Sequence, residues 1–350
     1  MNSSKRKTGG TGITNARPPN MSRPNYKNNQ PQPKPEQQMP QIFFSIGMTG
    51  AGKSTLNKMI EKESKNKGQN IKTLMIDDHI MANANYKKTV RAILTDPNHP
   101  VKSYKNLNSS VYKKFSTAYF GARRSGCPNY NIQPNTGTNK NATALRKTFG
   151  IKNGKGRGCN AIFDYDLFNA LQKRHNVLYE QTGNSLLDIG WVLKAIPPEY
   201  KINMYYLLFS DLSELLKRNN KRGFNNANKF LLNNSAPAPR FPEMNIEMLK
   251  LQFENMLGQL EKAIDYQSNI HEYLSSSNAP NWLKYPINKK FSLHIRIYTN
   301  DNVVRGSNPT LLYDSENNTI EEGKQVVISY KNKINQLNKF NMTEHNTNIN

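Results

Sequence analysis

Residues 41–55 read QIFFSIGMTGAGKST and determine the predicted fold. The apolar run Ile42–Ile46 is followed at once by Gly47, which is typical of a strand buried on both faces of a parallel sheet. Gly47 to Ser54 fits the pattern G-x-x-x-x-G-K-S/T, and a helical pattern continues to about residue 66. A buried strand, a glycine-rich turn and a helix in this order predict a loop that binds nucleotide phosphates.

The chemistry of phosphate binding requires these residue types at this spacing. Glycines let the backbone wrap tightly, so that consecutive N–H groups point at one set of phosphates. Lys53 is expected to reach the β- and γ-phosphates of ATP, and Ser54 to offer its hydroxyl to Mg²⁺. The following helix adds the positive end of its dipole. The residues expected to contact the nucleotide are Gly47, Met48, Thr49, Gly50, Ala51, Gly52, Lys53, Ser54 and Thr55.

Further apolar runs alternate with helical patterns along the chain. Buried strands are predicted at residues 71–76, 176–180 and 202–210, with a late strand of period two at 291–299. Helices are predicted at residues 110–124, 166–174, 186–196, 211 to about 221, and 245–274. Strands that alternate with helices predict an α/β protein with a mostly parallel sheet. Ligands of such sheets bind at the carboxyl ends of the strands.

Composition constrains the class of protein. The chain has 350 residues and is 36% apolar, below the usual ~45–50%, so part of it is expected to be disordered. About one residue in seven is Asn, which a biased AT-rich genome would explain, so Asn-rich stretches are given no weight. No apolar run approaches the ~18 residues of a membrane span, and the amino terminus lacks a signal core. A cytoplasmic location is therefore expected. Two cysteines alone cannot form a disulfide framework or a Cys-based zinc site.

Charge and composition also divide the chain. The net charge of +24 favours anionic partners such as nucleotides, sugar phosphates or nucleic acid, although biased lysine codons are an alternative explanation. Residues 1–40 are predicted as a disordered basic arm and 331–350 as a disordered tail. Between them, we expect a nucleotide-binding domain at 41–275, with a basic insertion at about 97–163, and a carboxyl-terminal extension at 276–330. The late strand either extends the sheet or forms a small addition.

Polar residues follow the second and third predicted strands. Asp77 and Asp78 are expected to face the phosphate loop, where one could act as base toward a substrate hydroxyl and the other could hold water on Mg²⁺. A solvated strand end or a helix N-cap is the alternative. Glu180 is placed to orient Mg²⁺ water or a substrate hydroxyl, and Thr182 and Gly183 to approach the substrate. The alternative there is a plain turn.

Cationic residues follow the fourth predicted strand. Arg218, Lys221 and Arg222 lie on or just beyond a helix, and Arg240 lies in the proline-rich segment APAPRFP. Phosphoryl transfer needs cations that stabilise charge on the transferred group, and the arginine fork binds two oxygens. Arg218 and Arg240 are therefore candidates for catalysis. A solvated helix face or a surface loop is the alternative for each.

The predicted basic insertion has an unusual charge pattern. No acidic residue occurs between Asp96 and Asp164, while basic residues recur there with aromatic residues interleaved. Such a stretch suits a nucleotide-bearing substrate or RNA, and Arg123 and Arg124 are candidates for binding the substrate. A basic solvated insertion whose aromatic residues form its own core is the alternative.

Five motifs together resemble the zeta-toxin group of P-loop kinases over roughly residues 41–270. They are GMTGAGKST (47–55), MIDDH (75–79), NVLYEQTG (176–183), MYYLLFSDLSELLKRNNKRG (204–223) and APAPRFP (236–242). NVLYEQTG is the most telling, because it is similar to the family's strand ending in Glu-x-Thr-Gly. The resemblance implies a three-layer P-loop kinase fold and a cytoplasmic enzyme that binds ATP and Mg²⁺ and phosphorylates a hydroxyl. The well-known bacterial members act on UDP-N-acetylglucosamine.

The resemblance also implies roles for single residues. Lys53 and Ser54 would hold ATP and Mg²⁺, and Asp77 or Asp78 would be the catalytic base. The bacterial pattern has two acids separated by one residue after the second strand, and the second of these positions falls here on His79. This departure leaves the identity of the base open.

On the substrate side, the resemblance implies that Glu180 and Thr182 line the acceptor site and that Arg218 and Arg240 clamp the phosphates. The function predicted from the sequence is an ATP-dependent kinase with an alcohol group as acceptor. The acceptor is expected to be an anionic, nucleotide-containing molecule, with a UDP-sugar as first choice. A polynucleotide end kinase and a nucleotide-dependent binding protein without transfer are the alternatives.

Overall fold

A computed structural model of the chain describes residues 39–97, 109–125, 159–183, 186, 192–193, 196–197, 199–241, 245–274, 292–304 and 306–347. Almost all of the predicted basic arm, residues 98–108 and 126–158 of the predicted insertion, most of the helix predicted at 186–196, and residues 276–291 of the predicted carboxyl-terminal extension lie outside these residues. The rest of the predicted elements can be compared with the structure directly.

Six strands form one sheet in the order β2-β3-β1-β4-β5-β6. They are β1 (Gln41–Gly47), β2 (Ile71–Leu74), β3 (Asn176–Gln181), β4 (Lys201–Leu208), β5 (Leu293–Thr299) and β6 (Thr310–Asp314). All neighbouring strands are parallel except β5 and β6, which are antiparallel. The predicted α/β class with a mostly parallel sheet is confirmed.

Helices connect and cover the strands. Those that the structure describes are α1 (Lys53–Asn66), α2 (Ile76–Ala82), α3 (Ala84–Leu94), α4 (Ser109–Ser125), α5 (Cys159–Gln172), α6 (Leu212–Leu232), α7 (Ile246–Asp265), α8 (Ile270–Leu274) and α9 (Ile320–Thr347). None of the described helices has both the length and the hydropathy that a membrane span requires.

The central strands are buried on both faces. Every residue from Ile42 to Gly47 in β1 and from Ile202 to Leu208 in β4 is buried. Successive residues of a strand point to opposite faces, so helices must cover both sides of the sheet. The predicted three-layer arrangement follows from this pattern.

The carboxyl end of β1 is a topological switch point. The strand lies between β3 and β4, and the chain leaves it toward β2 on one side and later reaches β4 on the other. Ligands of open α/β sheets bind at such a point. Ser45 pairs with Glu180, and Gly47 pairs with Leu207, so the phosphate loop begins beside the end of β3.

A second hydrophobic cluster packs beside the core of the sheet. It joins α2, α3, α4 and the later turns of α6 to the segment before Pro242, through buried residues such as Phe115, Phe230 and Phe241. Of the aromatic residues of the predicted insertion that the structure describes, Phe115 and Tyr119 are buried in this cluster, which they share with α2, α3 and α6 and do not form as a separate core. Tyr119 lies at the edge of this cluster.

Several element boundaries differ from the prediction: the helix predicted at 166–174 begins at Cys159, and the one predicted at 245–274 is divided into α7 and α8. The second strand ends at Leu74 instead of residue 76, and α2 starts at Ile76, so Asp77 and Asp78 lie in the first turn of a helix. Carboxylates there are stabilised by the helix dipole. The helix after β4 continues to Leu232, beyond the end predicted at about residue 221. Its residues buried at helical spacing are Leu212, Leu215, Asn219, Gly223, Ala227 and Phe230.

The carboxyl-terminal part also differs from the prediction. Strand β5 pairs with β4 along its whole length, so residues 293–299 extend the main sheet, which is one of the two alternatives left open for the late strand. The tail predicted as disordered from 331 is helical through Thr347 in α9. Val327, Tyr330 and Ile334 of α9 are buried at three- and four-residue spacing, and α9 packs on α7. This apolar stripe explains the helix.

Candidate active site

A cleft of about 1530 Å³ opens at the carboxyl ends of β1 and β3. The predicted site residues that line it are Met48, Thr49, Gly50, Gly52, Lys53, Ser54, Thr55, Asp77, Asp78, Arg123, Glu180, Thr182, Arg218 and Arg240. Gly47 and Ala51 belong to the same loop and are buried behind it. Arg124 lies in α4, but its side chain is outside the described part of the structure. The structure thus brings together residues from six separate stretches of sequence.

The phosphate loop leaves β1 at Gly47 and enters α1 at Lys53. Gly50 and Gly52 have φ angles of 90° and 102°, in the left-handed region that L side chains rarely adopt. The N–H groups of Gly50, Gly52, Lys53 and Ser54 donate to no backbone carbonyl within the described residues. Free donors at a helix N-terminus form an anion-binding site.

Two asparagine side chains support this loop. Asn219 Nδ2 donates to the carbonyl of Thr49 at 2.9 Å, and Asn300 Nδ2 donates to the carbonyl of Ala51 at 2.5 Å. A Cβ added to Gly50 would lie 2.5 Å from Asn219 Oδ1. The loop is therefore held in its shape by neighbouring elements, and glycine is required where those elements approach it. Sequence reasoning missed both asparagines, because Asn-rich stretches were given no weight.

Lys53 and Glu180 meet beneath the loop. Lys53 Nζ donates to the carbonyls of Gly47 at 2.5 Å and Met48 at 3.2 Å, and lies 3.6 Å from Glu180 Oε1. Asn57 Nδ2 donates to Glu180 Oε2 at 3.0 Å. Burial lowers the pKa of Lys53, while the charge of Glu180 opposes that change. The ammonium group is thus held by a carboxylate at the position where phosphate charge is expected.

Asp77 is held by two donors. Tyr119 donates its hydroxyl hydrogen to Oδ1, and Arg240 Nη1 donates to Oδ2 in an ion pair. Burial alone would raise the pKa of Asp77, but the Arg240 charge and the Tyr119 hydrogen bond hold it below its ordinary value. Burial raises the pKa of Tyr119, so its hydroxyl stays protonated and donates. Asp77 is therefore a weak base with both oxygens engaged.

The segment that carries Arg240 is fixed from two sides. The N–H of Ala238 donates to the carbonyl of Met81 at 2.9 Å, and the hydroxyl of Tyr86 donates to the carbonyl of Pro239 at 3.0 Å. Ala238 is fully buried. Arg240 thus projects from a packed segment and not from a surface loop, which was the alternative reading of APAPRFP.

Asp78 and His79 have different surroundings from Asp77. Asp78 is exposed and lines the cleft. Partial burial of its carboxyl group, followed by the neighbouring charge of Asp77, raises the pKa of Asp78. His79 does not line the cleft, and its Nε2 lies 3.7 Å from Asp166 Oδ2. His79, which occupies the position of the second acid of the bacterial pattern, therefore lies outside the cleft, whereas Asp78 lies in it.

The arginines of α6 divide between two environments. Arg218 lines the cleft, and its Nε donates to Glu214 Oε1 at 2.9 Å in an exposed ion pair. Arg222, one turn later, also lines the cleft, and it interacts electrostatically with Arg240 and Asp77. Burial, then the charge of Arg240, lowers the pKa of Arg222. The charges of Asp77 and Glu180 oppose this change, as carboxylates do for a cation in the same cleft. The i, i+4 spacing to Arg218 is the signal that places it on the same helix face.

No protein-family model matches the chain, and no curated protein matches its sequence. Among solved structures, the chain is similar to one from the PezAT chromosomal toxin–antitoxin system of the human pathogen Streptococcus pneumoniae. The two are 14% identical, the match covers 87% of this chain and 91% of the other, and the TM-score is 0.32. A TM-score that low assigns neither a site nor an activity to this chain.

Replacing Asp77 with Asn tests the ion pair. We expect Asp77→Asn to lower the free energy of unfolding at neutral pH by about 1–2 kcal/mol, since Arg240 loses its partner in a partly exposed pair. The lowered pKa means that the carboxylate stabilises the fold at neutral pH and stops doing so as the pH falls through that pKa. The difference from wild type should therefore shrink in acid.

Urea unfolding at neutral and acidic pH measures this effect. Asp78→Asn is the matched control, because Asp78 lies beside a like charge and its removal should be neutral or slightly stabilising. An equal loss of stability in both variants would contradict the ion pair.

Proposed function

We propose that the protein is an ATP-dependent phosphotransferase that phosphorylates a hydroxyl group of an anionic acceptor. One observation carries this proposal: a phosphate loop with a buried lysine shares a cleft with two carboxylates in different protonation environments. The loop would bind the triphosphate, and a carboxylate would accept the proton of the attacking hydroxyl. The motif resemblance to P-loop kinases agrees with the same chemistry.

The loop and Lys53 bind the donor in this proposal. The N–H groups of Gly50, Gly52 and Ser54 donate to no backbone carbonyl in the described residues, so they are available to donate to phosphate oxygens. Lys53 exchanges its carbonyl partners for the β- and γ-phosphates. Because Asn219 and Asn300 already hold the loop, little ordering is required when the nucleotide binds.

The residues also fit a magnesium ion. The hydroxyl of Ser54 and the carboxylate of Glu180 face the same cleft, and oxygen ligands are those that Mg²⁺ prefers. Ser54 would hold the ion, and Glu180 would orient its water. When bound, Mg²⁺ neutralises charge on the phosphates.

Asp78 is the stronger candidate for the base. It is exposed in the cleft, and its raised pKa makes its carboxylate more basic than that of Asp77, whose pKa is lowered. Asp77 instead holds Arg240. Arg240 and Arg222 are then the cations that stabilise charge on the transferred phosphoryl group. Arg218 lies one turn before Arg222 on the same face of α6.

The acceptor side of the cleft is rich in cations. Besides the arginines already described, α6 contributes Lys217, Lys221 and Lys229, and α4 contributes Arg123. Such a lining favours an acceptor that carries phosphate groups. A UDP-sugar is the first substrate to test, because the motif resemblance points to it. The length of the cationic face of α6 favours a polynucleotide end kinase as the second candidate.

Transfer of label from ATP tests the function. Wild-type protein is incubated with γ-labelled ATP and sugar nucleotides, nucleosides or oligonucleotides, and the acceptor that becomes labelled is identified. We expect Lys53→Ala to lower the rate by about a hundredfold or more, because it removes charge stabilisation in the transition state. Lys58→Ala, on the exposed side of α1, is the control and should behave as wild type. Equal turnover by wild type and Lys53→Ala would contradict the proposal.

The two carboxylates are distinguished by pH profiles. Asp78→Asn should abolish transfer while leaving ATP binding intact, because the base is absent. In wild type, kcat/KM should fall as the pH drops through the raised pKa of Asp78. Asp77→Asn removes the charge that contributes to this rise, so the acid limb of its residual activity should move to lower pH. Full activity in Asp78→Asn would exclude Asp78, and ATP binding without transfer by any form would favour the binding-protein alternative.

A further inference from the structure

Helix α4 contributes a residue to the cleft that no motif indicates. Tyr119 is 5% exposed and belongs to the second hydrophobic cluster, yet it also lines the cleft. Its neighbour Phe120 is 41% exposed on the same wall. Tyr119 is therefore where the packing of the second cluster and the candidate active site meet.

Three side chains form a closed set of contacts at this point. Tyr119 donates its hydroxyl hydrogen to one oxygen of Asp77, and Arg240 donates to the other. The Arg240 guanidinium also lies over the Tyr119 ring, 4.6 Å from its centroid. Each residue thus contacts both others, and each comes from a different element. A cation over an aromatic face is attracted to it, and the attraction grows when water is excluded.

A second tyrosine fixes both Tyr119 and the Arg240 backbone. The ring of Tyr86 meets that of Tyr119 edge to face, with centroids 6.3 Å apart and planes at 78°. The Tyr86 hydroxyl donates to the carbonyl of Pro239, the residue before Arg240. Tyr86 therefore holds both the Tyr119 ring that the Arg240 guanidinium packs on and the backbone at Pro239, just before Arg240.

We propose that Tyr119 is a positioning residue, which acts through Asp77 and Arg240 to hold the guanidinium where the transferred phosphoryl group develops charge. This inference rests on the proposed function. A phenylalanine would fill the same space, so packing alone does not call for the hydroxyl that reaches Asp77. Holding Arg240 in advance means that no reorganisation is needed at the moment of transfer.

A double-mutant cycle tests this role. Tyr119→Leu removes ring and hydroxyl, and we expect kcat to fall by about tenfold or more with the Kd for ATP unchanged, because Arg240 is misplaced in the transition state. Tyr119→Phe keeps the ring, and its kcat should lie between those of wild type and Tyr119→Leu. In the Arg240→Ala background, Tyr119→Leu should cost less than twofold, since the group that it positions is already absent.

Tyr112→Phe is the matched control. Tyr112 lies two turns earlier on α4, and its hydroxyl donates to Asn220 Oδ1 at 2.7 Å, so this variant also loses one hydrogen bond between α4 and α6. It does not line the cleft, and its kcat should stay within about twofold of wild type. A fall equal to that of Tyr119→Phe would assign both effects to the placement of α4 and would overturn the proposal.

The outcomes separate this inference from the proposed function. If wild type is active and the effects of Tyr119→Leu and Arg240→Ala on kcat multiply, the residues act independently and the inference is wrong. If wild type transfers no phosphate, the proposed function fails, and urea midpoints of the same variants then decide whether the contacts are coupled. Additive midpoint shifts would overturn the inference, and non-additive shifts would support the arrangement of the three residues.

Discussion

The parallel pairing of β1 with β3 and β4 is the constraint on which the cleft depends. It sets Ser45 beside Glu180 and Gly47 beside Leu207, so the phosphate loop starts where β3 presents its carboxylate. The strand is buried on both faces, and a shift of one residue would exchange the large side chains of Ile42, Phe44 and Ile46 with Phe43 and the small residues Ser45 and Gly47, which the packed core on each face would not fit. The register is therefore strongly specified, and the position of Lys53 relative to Glu180 follows from it.

Two adjacent carboxylates in this cleft acquire opposite properties from their surroundings. Asp77 meets an arginine and a tyrosine hydroxyl, and its pKa falls below the ordinary value. Partial burial and then the charge of Asp77 raise the pKa of Asp78, and no such donors reach it in the described residues. Environments that separate the pKa values of neighbouring acids are a means of giving them different roles. Here they separate a residue that holds Arg240 from a candidate base.

Much of the fold could be predicted from the sequence, and parts of the site could not. The loop from Gly47 to Ser54 combines a short motif with flanking strand and helix patterns, so local signals suffice. The pair Asp77–Arg240 is separated by 163 positions, and no local pattern indicates it. Asn219 and Asn300 support the loop through side-chain amides, but in a chain so rich in Asn their residue type carried no information. Helix α6 was predicted too short for the same reason, because its buried face lies within an Asn-rich stretch.

The central claim is that backbone N–H groups and Lys53 bind the phosphates of a nucleoside triphosphate. Calorimetric titration of the wild-type chain with ATP and with adenosine, both in magnesium buffer, tests it most directly. We expect saturable binding of one ATP per chain and no measurable binding of adenosine, because the phosphates supply the affinity. Absence of ATP binding at millimolar concentration, or equal affinity for the two ligands, would contradict it.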